Sequence, residues 1–276
     1  MKIRWYVLGV LILTTVMVGM QVVSERPPGV LTVSFLNVGQ GDATLITAPN
    51  GNQVLIDGGR DRSVLAALGR ELSFFDREIE VIIATHPDSD HIGGLPDVLD
   101  RFEIDHVLVS GNESGEVVQD IFHERAEHVQ IVRAGTVINL GDGAYVRILF
   151  PDRDVVDSNP NDASIIVQVM YGKTAFIATG DAGKSVEEYI SFVYAETLRS
   201  DVLKVGHHGS KTSTSDMFVG LVNPDVGVVS AGCDNRYGHP HGETLDTLAR
   251  FNVTVLTTCE EGTVTFVSDG KTVVRK

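Results

Sequence analysis

The chain has 276 residues, 43% of them hydrophobic, enough for one globular domain with a core of its own. Its 22 Lys and Arg against 37 Asp and Glu leave a formal net charge of −15, which excludes a broad electrostatic grip on nucleic acid. The two cysteines, Cys233 and Cys259, lie in separate segments without CxxC spacing, so they exclude a zinc-finger module and allow at most one disulfide; two buried free thiols are the expectation.

Lys2 and Arg4 precede the uncharged run WYVLGVLILTTVMVGMQVV, Trp5 to Val23, which as a helix can cross a hydrocarbon layer of about 30 Å. The run exceeds the usual apolar region of a signal peptide. Residues 1–24 therefore read as one N-terminal transmembrane helix, a retained anchor, with a cleaved signal and secretion as the alternative. Basic residues before the helix and acidic sequence after it put the amino terminus in the cytoplasm and the body of the chain outside the cytoplasmic membrane. SERPPG cannot continue a helix, so residues 25–30 are a linker and residues 31–276 the domain.

From Leu31 onward the apolar runs are short and β-branched, with turn residues between them: LTVSFLNV, ATLITA, QVLIDGG and VIIATH, then HVLVSG, VRILF, SIIVQVM and TAFIATGD. Helical spacing occurs in SVLAALGREL, LPDVLDRF, SVEEYISFVYAETL and ETLDTLARF. Strand pairs alternating with single helices predict stacked sheets with helices outside. A weak internal repeat supports this. GDATLITAPNGNQVLIDGG, Gly41 to Gly59, matches NDASIIVQVMYGKTAFIATGD, Asn161 to Asp181, and each copy leads through a helical segment to a strand ending in histidine. Two such halves would face each other across one cleft.

The segment IIATHPDSDHIGG crowds His86, Asp88, Asp90 and His91 where a strand ends, just before paired glycines. Imidazole nitrogen and carboxylate oxygen are ligands suited to zinc, manganese or iron(II), and groups this close repel or stay unsatisfied without a cation. Downstream, TAFIATGD ends in Asp181 and DVLKVGHHGS ends in His207 and His208. A carboxylate at a strand end can give one oxygen to each of two cations, although Asp181 is also placed to cap the next helix. If strand alternation continues through the histidines, one faces the cleft and the other packs or braces; His207 is expected to ligate.

THPDSDHIGG, TGD and KVGHHGS, with FLNVGQGDA near the start and NRYGHPH near the end, resemble the metallo-β-lactamase superfamily. More narrowly they resemble the extracellular hydrolase domain of ComEC-type DNA-uptake proteins of competent bacteria. The resemblance covers about Leu31 to Lys276 and implies an α/β fold, a four-layer αββα sandwich with metals at one edge of the sheets. His86, Asp90 and His91 match the superfamily pattern His-x-His-x-Asp-His, and Asp88 replaces its second histidine, which makes one metal position harder and manganese credible beside zinc. Asp181 matches the bridging aspartate, and His207 or His208 the late histidine. A further histidine common in the family has no match here: His106, His123 and His128 stand in other contexts, and Asn161, Asp162 and Ser164 occupy that general place. One or two divalent ions are implied, with Asp90, His91, Asp181 and a late histidine forming the more complete position.

The catalytic candidates are Asp90, His208 and His239, the last as a proton donor to a leaving oxygen or a stabiliser of phosphate charge. Ser210, Asn235 and Arg236, with Lys211, are candidates for substrate phosphate. Asp42 and Asp57 lie in turns near the centre, and His241 shares a Gly- and Pro-rich loop with His239. With no Ser-His-Asp nucleophile and no P-loop in evidence, metal-dependent hydrolysis is the expected class, most directly of a phosphodiester such as DNA. A single anchor cannot form a DNA channel, so a separate channel protein is the expected partner. Carbon-ester or amide hydrolysis, and a metal-stabilised binding module without turnover, are the alternatives.

Overall fold

The structure, a computed structural model, describes residues 5–14 and 29–276. The second half of the expected membrane helix and most of the linker lie outside the described residues. Residues 5–14 are helical (α1), and among the described residues no helix is long and apolar enough to cross a membrane.

The domain strands are Leu31–Phe35 (β1), Thr44–Thr47 (β2), Gln53–Ile56 (β3), Glu78–Ala84 (β4), Glu103–Val109 (β5), Val129–Ile131 (β6), Val137–Gly141 (β7), Ala144–Phe150 (β8), Ile166–Tyr171 (β9), Thr174–Ala178 (β10), Val202–Lys204 (β11), Val226–Val229 (β12), Thr254–Thr257 (β13), Val264–Ser268 (β14) and Val273–Arg275 (β15). They form an eight-stranded sheet, β15-β14-β1-β2-β3-β4-β5-β6, and a seven-stranded sheet, β13-β12-β11-β10-β9-β8-β7.

Side-chain alternation decides the layers. Val33 and Phe35 of β1, Ile46 of β2 and Val54 and Ile56 of β3 point between the sheets, where they meet Val146, Ile148, Val167 and Phe176. Phe266 ties the two faces together, its ring 6.1 Å from that of Phe35 and 6.3 Å from that of Phe176. The outer face of the first sheet, with Leu45, Leu55 and Ile82, is covered by Ser63–Glu71 (α2), Ser89–Ile92 (α3), Leu95–Leu99 (α4) and Val117–Arg125 (α5). Helix α2 buries Val64, Ala67 and Leu68, the i, i+3, i+4 stripe of an amphipathic helix. Lys184–Tyr194 (α6), Asp216–Val222 (α7) and Gly242–Arg250 (α8) cover the second sheet in the same way. Thr258–Glu261 (α9) follows β13.

The internal repeat is structural. The antiparallel hairpins β2–β3 and β9–β10 each lead through one helix, α2 or α6, to a parallel partner, β4 or β11. Both new strands end at the same edge of the sandwich.

The expectation of two free thiols is corrected: Cys233 and Cys259 form a disulfide with their Cα atoms 5.0 Å apart. The parallel register of β12 and β13 sets Val229 beside Thr257, so the segments leaving both strands run together. Linear spacing conceals that pairing.

Because Phe266 touches both sheets at the centre of the core, Phe266→Ala should lower unfolding stability by roughly 3–5 kcal/mol, read from the shift of a urea denaturation midpoint. A change below about 1 kcal/mol would contradict this account of the core.

Candidate metal centre

Every candidate ligand is delivered by a strand end or the turn just beyond it. β4 stops at Ala84, and the chain presents His86 and Asp88 before α3 carries Asp90 and His91. β10 delivers Asp181, and β11 delivers His207 and His208. Close backbone packing holds these turns. Gly41 has φ +133, and a Cβ there would stand 2.2 Å from the carbonyl oxygen of Asp90, against which Asp42 N–H bonds at 3.1 Å. At Gly94 a Cβ would stand 2.2 Å from the Gly58 carbonyl oxygen, so the paired glycines let α3 lie directly on the loop after β3.

The Asp181 carboxylate is the meeting point. His91 Nε2 lies 3.2 Å from its Oδ1, while the Nε2 atoms of His207 and His208 lie 3.6 Å from Oδ2 and that of His86 lies 3.9 Å away. Asp90 Oδ2 is 3.4 Å from His208 Nε2, and Asp88 Oδ2 is 3.7 Å from His86 Nε2. The structure thus brings together all six residues expected to ligate, with His208 beside them.

The outward ring nitrogens are fixed by acceptors behind them. His91 Nδ1–H donates to Asp57 Oδ2 at 2.8 Å, and Asp57 also accepts from the Thr85 amide at 2.8 Å and the Thr85 hydroxyl at 2.7 Å. With its proton on Asp57, the Thr85 oxygen is the acceptor for His86 Nδ1–H at 3.1 Å. His208 Nδ1–H donates to the Ser230 carbonyl at 3.0 Å and sits 3.0 Å from Asp42 Oδ1. Lys204, itself buried at the end of β11, holds the other Asp42 oxygen at 2.6 Å. In its neutral form each buried imidazole is therefore held in the tautomer that turns a bare Nε2 toward Asp181, the form a bound cation requires.

Those bare atoms test whether a cation fits. With neutral rings, His86 Nε2, His91 Nε2, His208 Nε2 and Asp181 Oδ1 are buried without a hydrogen-bond partner, an arrangement that is unfavourable unless protons or a metal ion join them. Asp42, His91, Asp181 and His208 each offer a ligand atom within 4.8 Å of the others. Asp42 is already paired with Lys204 and lies against His208 Nδ1, so we read it as the brace of His208, and Asp90, 3.4 Å from His208 Nε2, as the carboxylate on the ligand side. The fold and this cluster suggest divalent metal.

Proton affinities carry the same imprint. Burial alone would depress His91 and His208, but Asp181 with Asp57 or Asp42 outweighs it, raising His91 well above 6.5 and His208 to about 10. Asp181 is held well below the usual carboxylate range, its burial overcome by His91 and His208. His86, pushed down to about 3 chiefly by burial and then by His91, stays a neutral donor. Burial lifts Asp88 to about 6.

One backbone fact and one set of side-chain contacts alter the sequence reading. His207 and His208 do not continue strand alternation: both have left-handed φ values, 47° and 55°, in a tight turn, so both rings reach Asp181. His208 is the buried one; His207 is partly exposed, its Nδ1 3.1 Å from the Thr212 hydroxyl. In the place of the missing family histidine, Ser164 Oγ lies 3.3 Å from His86 Nδ1 and accepts from the Asp181 amide at 3.1 Å, while Asp162 accepts from Gly183 N–H.

The loop after β12 closes one side. His239 lies beside His207 and His208 with ring centroids 5.7 and 6.2 Å away, and Tyr237 stacks on it at 5.6 Å. Burial and the neighbouring histidines push His239 down to about 4, which favours the uncharged imidazole. Asn235 bonds the carbonyls of Gly232 and His239, and Ser210 bonds Thr212, so both brace loops. Arg236 stays exposed, its guanidinium 5.0 Å from the Tyr237 ring centroid. His106 and His128 are exposed, and His123 lies on exposed α5 surface beside Phe122. The residue the sequence reading missed is Lys204; a lysine inside the apolar run DVLKVG is the signal that could have found it.

A family model described as the metallo-beta-lactamase superfamily matches residues 36–232, and the chain belongs to that superfamily. Within it, the chain is 30% identical over 255 residues to ComE operon protein 3 of Bacillus subtilis (strain 168), covering 85% of this chain and 32% of that protein. It is 30% identical over 250 residues to competence protein ComA of Neisseria gonorrhoeae, covering 88% of this chain and 34% of the relative. The chain thus spans about a third of the length of these relatives. Among solved structures, CmlA, a diiron beta-hydroxylase from Streptomyces venezuelae, shares the fold at a TM-score of 0.56 and 14% identity, over 91% of this chain and 55% of that one.

Two measurements check the centre. With His91 and His208 holding protons at pH 7, metal binding should release protons and tighten as pH rises; calorimetry in buffers of different ionisation enthalpy should give buffer-dependent heats. The raised values also imply that this stabilisation of metal-free protein is complete below the unfolded value of about 6.5 and is lost as pH climbs through about 10. Separately, Asp57→Asn should weaken metal affinity by about 10–100-fold in a competition titration while leaving the fold intact.

Proposed function

We propose that this chain is a metal-dependent phosphodiesterase or nuclease acting outside the cytoplasmic membrane, to which residues 1–24 anchor it. The observation that carries the reading is the set of buried, unpartnered Nε2 atoms aimed at the Asp181 carboxylate. His86, Asp88 and Asp181 would hold one divalent ion, and Asp90, His91, Asp181 and His208 a second, with His207 beside Asp181. When bound, such ions acidify water and offset negative charge developing on an attacked group.

The chain's own residues do the rest. Asp57 and Asp42 keep His91 and His208 in one tautomer and one orientation, so the centre needs little reorganisation during reaction. His239, neutral and beside His207, offers a hydrogen bond to a substrate oxygen. Arg236, exposed on the same loop, can pair with a phosphate without a desolvation penalty. Carboxylates at positions 88 and 90 make the set oxygen-rich, which suits manganese as well as zinc.

Relatives that include a competence protein support DNA as the phosphodiester, with a separate channel protein as partner. The disulfide supports an oxidising compartment, and α1, which exposes Trp5, Tyr6, Leu8 and Leu11, supports an apolar surrounding for the amino-terminal segment.

The test is turnover by the full-length protein, loaded with manganese or zinc, of single-stranded DNA, bis(p-nitrophenyl) phosphate and a chromogenic cephalosporin. Phosphodiester hydrolysis that falls to the buffer blank in Asp181→Ala is the expected result. Cephalosporin turnover alone would favour amide hydrolysis instead, and tight metal without any turnover a binding module.

A further inference from the structure

The end of the sandwich opposite the metal centre has a surface that core packing does not explain. β1 is antiparallel to β2, β2 to β3, and β3 is parallel to β4, so β1, β3 and β4 all run toward the metal centre. The start of β1 and the loop before β4 therefore lie together at the far end. In that loop Phe74 is 76% exposed and Phe75 78%, their rings edge to face at 5.2 Å. The Arg77 guanidinium lies 5.6 Å from the Phe74 ring centroid, and Arg77 and Arg101 line a groove beside it.

The chain also enters the domain at this end. Tyr171 Oη donates to the Gly29 carbonyl at 2.9 Å, and Lys173 N–H donates to the Gly270 carbonyl at 2.7 Å. These bonds gather the β9–β10 turn, with exposed Lys173, and the β14–β15 turn, with exposed Lys271, around the entry point. Strands are spaced by about 4.8 Å, so the Phe74–Phe75 loop on β4 lies roughly 15 Å along the sheet from the start of β1.

We infer that this end rests on a lipid bilayer, with Phe74 and Phe75 inserted in the interfacial layer and the metal centre facing away from it. The inference rests on the anchor reading and adds an orientation to it. A bilayer fits better than a protein groove for three reasons. The exposed rings share an end with the entering chain. The run Trp5 to Val23, separated from that entry by a short linker, is apolar, and α1 exposes Trp5, Tyr6, Val7, Leu8 and Val10. Arg77 and Arg101 border the rings, and exposed Lys173 and Lys271 lie by the entering chain, a mixture that settles at headgroup level. Asp76 and Asp269 share this end, so anionic lipid adds little and the rings supply the affinity. β4 spans seven residues at about 3.3 Å each, so the metal centre would stand roughly 25 Å above the lipid.

The experiment uses the full-length chain in vesicles of phosphatidylethanolamine and phosphatidylglycerol, with Trp5→Phe removing the native indole and Phe75→Trp reporting the loop. The expected result is blue-shifted emission quenched by lipids brominated on their acyl chains and shielded from aqueous acrylamide. Emission open to acrylamide and untouched by brominated lipid would overturn the inference. Carbonate extraction separates the two readings: a protein that stays with the vesicles but has a wet reporter keeps its anchor and loses this orientation. A protein that is extracted loses the anchor reading, and bromolipid quenching before extraction still decides the loop. Phe74→Asp combined with Phe75→Asp should abolish the lipid contact while leaving turnover of bis(p-nitrophenyl) phosphate unchanged; loss of both together would mark a folding defect and overturn the assignment of these rings to lipid.

Discussion

The structure is organised around one buried carboxylate that faces more imidazole nitrogen than it can bond and more negative charge than nearby cations neutralise. Asp181 receives the Nε2 atoms of His86, His91, His207 and His208 within 3.9 Å, while Asp42, Asp57 and Asp90 crowd behind or beside them. Lys204 offsets Asp42 alone. The remaining imbalance is relieved either by protons on His91 and His208 or by metal ions in their place, and a fixed ion leaves no partnerless atom. Burial makes both remedies strong, because the same low dielectric that penalises a lone charge strengthens its pairing.

That convergence is a property of the doubled architecture. Each half contributes a hairpin, a crossover helix and a parallel strand, and the ligands sit beyond the ends of those strands. His86 and His91 come from one half and Asp181, His207 and His208 from the other, so the centre lies on the seam. Each half also supplies its own brace: Asp57 beyond β3 for His91, and Lys204 at the end of β11, which acts through Asp42 on His208. Relative displacement of the sheets would separate the ligands, so Phe266, Phe35 and Phe176, packed between the sheets, bear on the site from a distance.

Much of this was legible in the sequence for a physical reason. Strand ends followed by glycine are local patterns, so THPDSDHIGG, TGD and HHGS announce their chemistry without a structure. The two-sheet layout followed from the repeat and from β-branched runs. What stayed hidden depends on distance or on backbone hand. Alternation could not assign His207 and His208, because two consecutive left-handed residues abolish it. Asp42 and Asp57 could be turn residues or braces until Lys204 and His91 were seen beside them. Asn235 looked free to meet phosphate, yet its amide and carbonyl are both bonded within its loop. The cysteine pairing required the register of β12 and β13, which linear sequence does not print.

The Cys233–Cys259 bridge spans the loop carrying Arg236, Tyr237, His239 and His241 and joins its start to α9. Closing a loop of 26 residues removes roughly 3.5 kcal/mol of freedom from the open chain in the loop-entropy picture. Such bonds form where thiols are oxidised. Until that bond forms, the loop beside the candidate metal centre lacks its clasp. Closure of this side of the site is therefore tied to the thiol chemistry around the chain as well as to its folding.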